Sequence, residues 1–321
     1  MKITIMGSGN IGSLFGALLT EVGNDVTLVD IRDDLIEAIQ KEGIRIDMSN
    51  GQSTQVRVKI TRDVGSIGIS DLIIISTKGY ATRTAMENAL SLVGENTSVL
   101  SVQNGAGNIE TIAEVLKGDS RVIGGVFHCI VTPLKLNHLS WIVGTGGLKI
   151  GPMNGRMSPR IQEVVEAFKG TGIDVVTSDR VQDLIWSKLL LNTNMAAATV
   201  LKITNDEYLY YPSCARLVRM IAEECVRVAQ AKGINLEHPE DPIQPIFDIM
   251  AKFRDSGTKP KCSMYQDMEN GRKTEIDTIH GSIVREGQKH NIPTPVNETM
   301  VLLVKAMEEK TIRNREEAGR K

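Results

Sequence analysis

The chain has 321 residues, more than the size at which one hydrophobic core usually stops growing, so we expect two domains. Its 37 basic and 39 acidic residues give a formal net charge of −2, which provides no overall attraction to nucleic acid or to an anionic membrane. No apolar run predicts a membrane span and the chain opens on a strand pattern, so we expect a cytoplasmic location.

A predicted buried strand at residues 2–6 leads directly into a glycine-rich turn, and a helix pattern follows over residues 13–22. In a GxGxxG turn the first glycine permits the tight bend, the second lets backbone N–H groups approach a pyrophosphate, and the third lets the helix pack against the sheet. We therefore predict a dinucleotide site formed by Gly7, Ser8, Gly9, Asn10, Ile11 and Gly12.

A second predicted strand, residues 25–29, ends at Asp30, about 20 positions after the glycines, where a carboxylate can accept a hydrogen bond from an adenosine ribose. The same carboxylate would repel a 2′-phosphate, which favours NADH. Arg32 leaves NADPH open, since its guanidinium could pair with that phosphate while Asp30 turns away. The alternative is that residues 32–34 are a solvated helix start.

Further along the first half, residues 71–76 and 98–102 are continuous apolar runs typical of strands buried in a parallel sheet. Polar residues follow each run, including Lys78 after the first and Asn104 after the second, where ligands bind in open α/β sheets. The segments 121–131 and 140–150 are also rich in β-favouring residues, and we expect them to complete the first domain.

A helix pattern at residues 158–169 and a short strand at 173–176 precede a change in composition, after which apolar residues recur only at helical spacing. We therefore predict an α/β protein with an N-terminal Rossmann-type doubly wound sheet over residues 1–178 and an all-helical C-terminal domain over residues 179–321. The apolar helix faces leave open whether they close an interdomain cleft or a homodimer contact.

The helical half carries the main chemical signal, because Lys188 and Asn192 are spaced to share one helix face and so to meet one ligand. A second polar segment runs from Ser263 to Glu275, with a helix N-cap at its start and a carboxylate at its end. The cysteines are scattered and the histidines show no pairing pattern, so we expect neither a metal site nor a disulfide.

Taken in chain order, these motifs resemble the ketopantoate reductase (2-dehydropantoate 2-reductase) family along nearly the whole chain. The resemblance rests on the glycine turn, Lys78, residues 103–105 (Gln-Asn-Gly), the Trp-x-Lys-x-x-x-Asn segment at residues 186–192, Ser263, Glu275 and residues 293–297 (Pro-Thr-Pro-Val-Asn). It implies NAD(P)H-dependent reduction of 2-dehydropantoate to pantoate, a step of pantothenate and coenzyme A biosynthesis.

The resemblance also implies roles for individual residues. Lys188 would donate a proton to the ketone oxygen, a role that suits an ammonium beside a developing negative charge. Glu275 would lie near Lys188 and the nicotinamide ribose, although a glutamate in a first helical turn is also favoured by the helix dipole alone.

Five more residues receive implied roles. Asn104 would approach the nicotinamide and the substrate, and Lys78 would reach the adenosine side or the phosphates. The substrate would be held by Asn192, Ser263 and Asn205, the last of which lies in a predicted loop where asparagine is common without a ligand.

One position departs from the family pattern. Family members usually carry a second asparagine four residues beyond Asn192, whereas this chain has Ala196. Asn194 is not an equivalent replacement on a helix because it would point to a different face. A D-2-hydroxyacid dehydrogenase acting on another branched or aromatic 2-keto acid is therefore an alternative. A non-catalytic dinucleotide sensor is an alternative of another class, but a sensor would not need Lys188.

Overall fold

The computed structural model describes residues 1–143 and 146–319, in which the chain forms two compact units. The first contains residues 1–103 and 108–182, and the second contains residues 104–107 and the chain from Asp183 onward. The units therefore divide after Gln182 rather than at residue 178, and a short segment from the N-terminal half belongs to the second unit.

The first unit is an α/β layer structure. Its strands are β1 (Lys2–Met6), β2 (Asp25–Val29), β3 (Ile44–Met48), β4 (Ser53–Val56), β5 (Lys59–Thr61), β6 (Ser70–Ile75), β7 (Val93–Ser101), β8 (Val122–Phe127), β9 (Ile130–Lys135), β10 (His138–Ile142), β11 (Leu148–Pro152) and β12 (Val175–Thr177). Its helices are α1 (Asn10–Glu21), α2 (Asp33–Glu42), α3 (Thr82–Asn88), α4 (Asn108–Leu116) and α5 (Pro159–Ala167).

Within the described residues, eight strands form the main sheet in the order β12-β11-β8-β7-β6-β1-β2-β5. The run from β8 to β5 is parallel, and only the β8–β11 pair is antiparallel. Strand β1 lies between β2 and β6, with Met6 opposite both Val29 and Ile75. The chain therefore leaves β1 at the point where the strand order reverses, which is where open α/β sheets bind ligands.

These observations confirm the predicted Rossmann-type sheet and its buried central strands. A second sheet, in the order β4-β3-β10-β9, was not predicted. Its strands are short and partly exposed, and β3 pairs with β10, which is distant in the sequence. Local periodicity carries no information about such a pairing, because the two strands are selected by tertiary packing.

The second unit is helical in the residues described, as predicted. Its helices are α6 (Val181–Leu191), which begins two residues before the unit does, and α7 (Met195–Leu201), α8 (Pro212–Ala231), α9 (Gln244–Ser256), α10 (Ser263–Glu269), α11 (His280–Lys289) and α12 (Pro295–Gly319). No described helix is both long enough and apolar enough to cross a membrane.

Each unit has its own hydrophobic core. In the first, the Phe15 ring lies 5.0 Å from the Phe127 ring and 5.1 Å from the Phe168 ring, centroid to centroid. In the second, Trp186 and Tyr208 are the largest fully buried side chains. Among the cysteines, the second core includes Cys214, Cys225 and Cys262, as expected for small apolar groups, whereas Cys129 is partly exposed.

Candidate active site

The glycine turn after β1 has the backbone geometry that its sequence requires. Gly7 has φ +97°, a left-handed conformation that L side chains rarely adopt. A Cβ on Gly12 would lie 2.0 Å from the Gly7 carbonyl oxygen, so helix α1 can approach the turn this closely only with glycine there. The Ser76 hydroxyl donates to the Gly7 carbonyl over 2.7 Å and fixes the turn from the neighbouring strand.

Three features of this turn fit a phosphate group. A Cβ on Gly9 would meet no atom within 4 Å, so the backbone there faces open space. The Ser8 hydroxyl oxygen is buried and has no hydrogen-bond partner in the structure. Helix α1 begins at Asn10 without a side-chain cap, and uncapped N–H groups at a helix N-terminus favour an anion. These residues fit the pyrophosphate of a dinucleotide.

Asp30 ends β2 beside the glycine turn and is held by the backbone. Its Oδ2 accepts from the Ser8 N–H over 2.7 Å, and its Oδ1 accepts from the N–H groups of Ile31 and Arg32 over 2.9 and 3.0 Å. A carboxylate with three such bonds cannot turn away without leaving N–H groups unpaired. Asp30 is thus fixed in the place where a ribose hydroxyl would meet it.

Arg32 lies next to Asp30, with 3.6 Å between its Nε and Asp30 Oδ1, and its side chain is half exposed. The residue also immediately precedes α2, which begins with Asp33 and Asp34 in its first turn. The prediction of a helix start at this point is therefore confirmed. The guanidinium lies beside the Asp30 carboxylate, which has not turned away.

The carboxyl ends of β6 and β7 are joined by polar side chains. Gln103 Nε2 donates to the Thr77 carbonyl over 2.9 Å and to Thr82 Oγ1 over 2.8 Å. Lys78, between these partners, is partly exposed and precedes a 3₁₀ turn at Gly79–Ala81. Its position at the end of a parallel strand is the one predicted.

Asn104 belongs to the second unit, although it directly follows the β7 region. The next residues explain this placement, because the Ala106 N–H donates to the Thr278 carbonyl over 3.0 Å. Gly105, at φ +85°, approaches so closely that a Cβ would lie 2.2 Å from the same oxygen. The Thr278 N–H donates in turn to the Glu275 carbonyl over 3.1 Å, so Asn104 and Glu275 lie on connected segments.

Glu275 is 6% exposed and lies in the turn before α11, not in a helix. The alternative that it is an ordinary first-turn glutamate is therefore wrong. The segment around it is held by main-chain bonds, since its carbonyl accepts from both Thr278 and Ile279. A carboxylate in such a rigid, buried turn can orient a neighbouring cation.

Lys188 and Asn192 keep the predicted helical spacing. Helix α6 ends at Leu191, yet the Asn192 N–H still donates to the Lys188 carbonyl over 3.1 Å, which places the two residues one turn apart. Lys188 is partly buried and Asn192 is buried. The Asn192 Nδ2 has no hydrogen-bond partner in the structure. Asn194 lies in the turn after α6, so the helical spacing assumed for it was wrong.

Asn205 and Ser263 are connected through the segment before α10. The Asn205 N–H donates to the Pro260 carbonyl over 2.9 Å, and its Oδ1 is buried without a partner. Ser263 is the first residue of α10, and its hydroxyl lies 3.8 Å from the sulfur of Met195. A donor on Asn192 and an acceptor on Asn205 therefore stay unpaired, and buried polar atoms normally have partners.

Sequence reasoning missed two residues of this region. The N-cap of α10 was expected at Ser263, but it is Cys262, whose sulfur accepts from the Tyr265 N–H over 3.4 Å. Ser76, which shapes the glycine turn, was seen only as part of a polar strand end. The sequence feature that could have identified Ser76 is a hydroxyl at the carboxyl end of β6, the strand that pairs with β1.

Comparison with known proteins gives a consistent assignment. Residues 3–155 match the family described as "Ketopantoate reductase PanE/ApbA", and residues 180–308 match "Ketopantoate reductase PanE/ApbA C terminal". The chain is 32% identical to the 2-dehydropantoate 2-reductase of Pyrococcus horikoshii over 96% of its length and 98% of that protein. It is 28% identical to the enzyme of the same name from Halobacterium salinarum, over 95% of this chain and 98% of that one.

Solved structures show the same likeness. The 2-dehydropantoate 2-reductase from Geobacter metallireducens is 30% identical with a TM-score of 0.85, over 95% of this chain and 99% of that one. A ternary structure of D-mandelate dehydrogenase with NADH and anilino(oxo)acetate is 25% identical with a TM-score of 0.86, over 97% of this chain and 99% of that one. Both similarities span the two units.

Proposed function

Because the chain belongs to the ketopantoate reductase family and is an oxidoreductase, we propose that it reduces the ketone of 2-dehydropantoate to the alcohol of pantoate with a nicotinamide dinucleotide. The reaction would supply pantoate for pantothenate biosynthesis. The curated relatives at 28 to 32% identity carry this activity in their names, and the match extends over nearly the whole of each chain.

The glycine turn supports the cofactor half of this proposal. Ser8 and the uncapped start of α1 would hold the pyrophosphate, and Asp30 would accept a hydrogen bond from the adenosine ribose. The backbone bonds that fix Asp30 keep its negative charge where a 2′-phosphate would lie, which favours NADH. Arg32 keeps NADPH as the other candidate. Lys78 would reach the phosphates or the adenosine side.

One observation carries the substrate half: two buried amide atoms, Asn192 Nδ2 and Asn205 Oδ1, have no partner in the structure. The first can donate to a carboxylate, and the second can accept from a hydroxyl. A small acid that also bears a hydroxyl satisfies both, and 2-dehydropantoate is such an acid. Ser263 would add a third polar contact.

In the proposed mechanism, a bound reduced nicotinamide would supply a hydride for the C2 carbonyl carbon. Lys188 donates a proton from its Nζ to the ketone oxygen and stabilises the charge that develops there. Glu275, buried in its hydrogen-bonded turn, orients that ammonium. Asn104 would contact the nicotinamide, and Asn192 would hold the carboxylate so that the ketone faces Lys188.

A second candidate is reduction of another branched or aromatic 2-keto acid to a D-2-hydroxy acid. It is favoured by Ala196, which is fully buried and offers no polar atom where the family usually has asparagine. The likeness to D-mandelate dehydrogenase agrees with this candidate. Family membership sets aside the alternative of a non-catalytic sensor.

The test is steady-state reduction of 2-dehydropantoate, phenylglyoxylate and pyruvate with NADH and NADPH, in the unmodified protein and in Lys188→Ala. We expect the highest kcat/KM with 2-dehydropantoate. Lys188→Ala should lower kcat by about 100-fold or more, the range of general acid catalysis, while the cofactor Kd changes little.

Lys252→Ala provides the matched control, because Lys252 is an exposed lysine on α9. Its kcat should stay within about twofold of the unmodified protein, as for most surface substitutions. Unchanged turnover in Lys188→Ala would disprove the role of Lys188. A higher kcat/KM with phenylglyoxylate would replace the first candidate substrate by the second.

A further inference from the structure

Met195, the first residue of α7, contacts two residues that we propose as substrate ligands, Ser263 through its side chain and Asn192 through its backbone. Its sulfur is 3.8 Å from the Ser263 hydroxyl, and its backbone N–H donates to the Asn192 carbonyl over 3.1 Å. The side chain is partly exposed, although it also packs against the core of the second unit. A thioether is therefore presented at this point of the polar cluster.

The position of Met195 is fixed by the helix that carries Ser263. The Met195 carbonyl accepts from Thr199 Oγ1 over 2.8 Å and from the Cys262 thiol over 3.6 Å. The same thiol caps α10, so it joins the start of α7 to the start of α10. Burial raises the pKa of Cys262, which keeps the group a neutral thiol able to donate. The approach of Met195 to Ser263 is thus built into the packing of two helices.

The neighbouring position contributes nothing polar. Ala196 is fully buried, as are Ala197 and Ala198, and none of the three has a polar side-chain atom. Sulfur in a thioether accepts hydrogen bonds weakly but makes close, adaptable contacts with apolar groups. The Met195 thioether therefore places an apolar group directly beside the Ser263 hydroxyl.

We infer that Met195 is a specificity-determining residue that selects 2-keto acids with an apolar branch at C3. The inference rests on the proposed function, because it takes Asn192 and Ser263 as the groups that hold the polar ends of the substrate. With those ends held, the carbon between them faces the thioether. Methyl groups or a ring at C3 bury against Met195, whereas an unbranched chain leaves it partly in contact with water.

The experiment compares kcat/KM for an unbranched pair, pyruvate and 2-oxobutanoate, with that for a branched pair, 3-methyl-2-oxobutanoate and 3,3-dimethyl-2-oxobutanoate. The variants are Met195→Ala and Met195→Leu. Met195→Ala should lower kcat/KM for the branched pair by about tenfold, the usual effect of a lost apolar contact in a pocket. The unbranched pair should change by less than about threefold, the effect of losing little buried area.

Met195→Leu keeps the volume and apolar character of the side chain, so it should restore the preference to within about threefold of the unmodified protein. Met220→Ala is the matched control, because Met220 is an exposed methionine on α8, and its preference should be unchanged. If Met195→Ala fails to fold, Met195→Gln replaces it, because glutamine is similar in size but polar. Its kcat/KM for the branched pair should fall relative to that for the unbranched pair.

Two results would overturn the inference. An equal loss with branched and unbranched acids would show that Met195 only supports the fold, and no loss with either pair would show that it does not meet the substrate. Failure of the proposed function gives a different result, because it is seen in the unmodified protein as the absence of 2-dehydropantoate reduction, whatever the effect of Met195→Ala.

Discussion

Asp30 shows how a single side chain can serve the fold and a ligand together. Three backbone N–H groups bind its two oxygens, and one of them, from Ser8, belongs to the glycine turn. Each carboxylate oxygen accepts up to two hydrogen bonds, so Oδ2 can still accept a ribose hydroxyl. The negative charge proposed to select the ribose is therefore also part of what holds the turn in place.

This arrangement predicts the cofactor preference. The unmodified protein should bind NADH at least about fivefold more tightly than NADPH, because a charge repulsion of ~1 kcal/mol in water opposes the 2′-phosphate. Arg32→Ala should weaken the binding of NADPH further, because it removes an exposed positive charge at the edge of the site. The dissociation constant of NADH should stay within about twofold. Asp30→Asn keeps an acceptor oxygen but removes the negative charge, so it should reduce the difference between the affinities for NADH and NADPH. Fluorescence titration of both cofactors measures all three.

Arg45→Ala is a suitable control, because Arg45 on β3 is also half exposed and its Nε lies 3.0 Å from Oδ1 of Asp47, an aspartate two positions away, as Asp30 is from Arg32. It should leave the ratio of the two dissociation constants unchanged. A tighter affinity for NADPH in the unmodified protein would mean that Arg32, and not Asp30, decides the selection.

At the scale of elements, the segment 104–107 is the clearest case of a loop placed by a distant partner. It follows the end of a strand of the first unit but belongs to the second, through the bond from Ala106 to Thr278. The close approach at Gly105 is possible only without a side chain, since a Cβ would overlap the Thr278 carbonyl. This contact sets the position of Asn104.

Gly105→Ala should therefore be more harmful than Gly107→Ala. Both glycines have positive φ, +85° and +95°, but a Cβ at Gly107 would meet no atom within 4 Å. Gly107→Ala carries only the cost of backbone strain, about 1–2 kcal/mol. Gly105→Ala must in addition move its segment away from the Thr278 carbonyl. We expect Gly105→Ala to lower kcat/KM by about tenfold or more, since small misplacements of site groups are costly.

Urea unfolding and steady-state kinetics of the two variants separate these effects. Equal kinetic losses in both would indicate that strain alone matters and that the approach to Thr278 has no role in placing Asn104.

At the scale of the whole molecule, each unit is stabilised by its own core, and the second also contains a buried polar network. Glu224 accepts from the N–H groups of Val296 and Asn297 and from the Asn297 side chain over 2.8 to 3.0 Å. Asn297 Oδ1 lies 2.9 Å from Nδ1 of His280, which is fully buried. These bonds connect α8, α11 and the start of α12.

The network predicts a pH dependence of stability. Burial lowers the pKa of His280 to about 4 from its ordinary value of 6.5, although the Asn297 bond opposes the shift. Because the unfolded chain then binds the proton more readily, His280 contributes its full stability above about pH 6.5 and loses it as the pH falls towards 4. The loss attributable to this group is about 3 kcal/mol.

Urea unfolding between pH 7.5 and 4.5 measures this effect as the slope of the unfolding free energy against pH, which for His280 corresponds to the uptake of up to one proton on unfolding. His280→Leu should remove that part of the slope, whereas His290→Leu, at an exposed histidine near the end of the same helix, should retain it. If His280→Leu had the same slope as the unmodified protein, the loss of stability in acid would have to come from other groups.

The sequence alone determined the features that depend on near neighbours. The glycine turn, the buried strands, the helical half and the spacing of Lys188 and Asn192 follow from periods of two and 3.6 residues and from the conformational freedom of glycine. These signals are local, so one sequence is enough to read them. The ordered motifs also sufficed to predict the family, which the comparisons confirm.

Only the tertiary structure decided which of these residues meet. It placed Asn104 with the second unit, paired β3 with β10, and brought Met195 to Ser263 across 68 positions of sequence. It also left Asn192 and Asn205 with unpaired buried atoms, the observation on which the substrate proposal depends. Contacts between distant residues are selected by how whole elements pack, and no local pattern of residues encodes that choice.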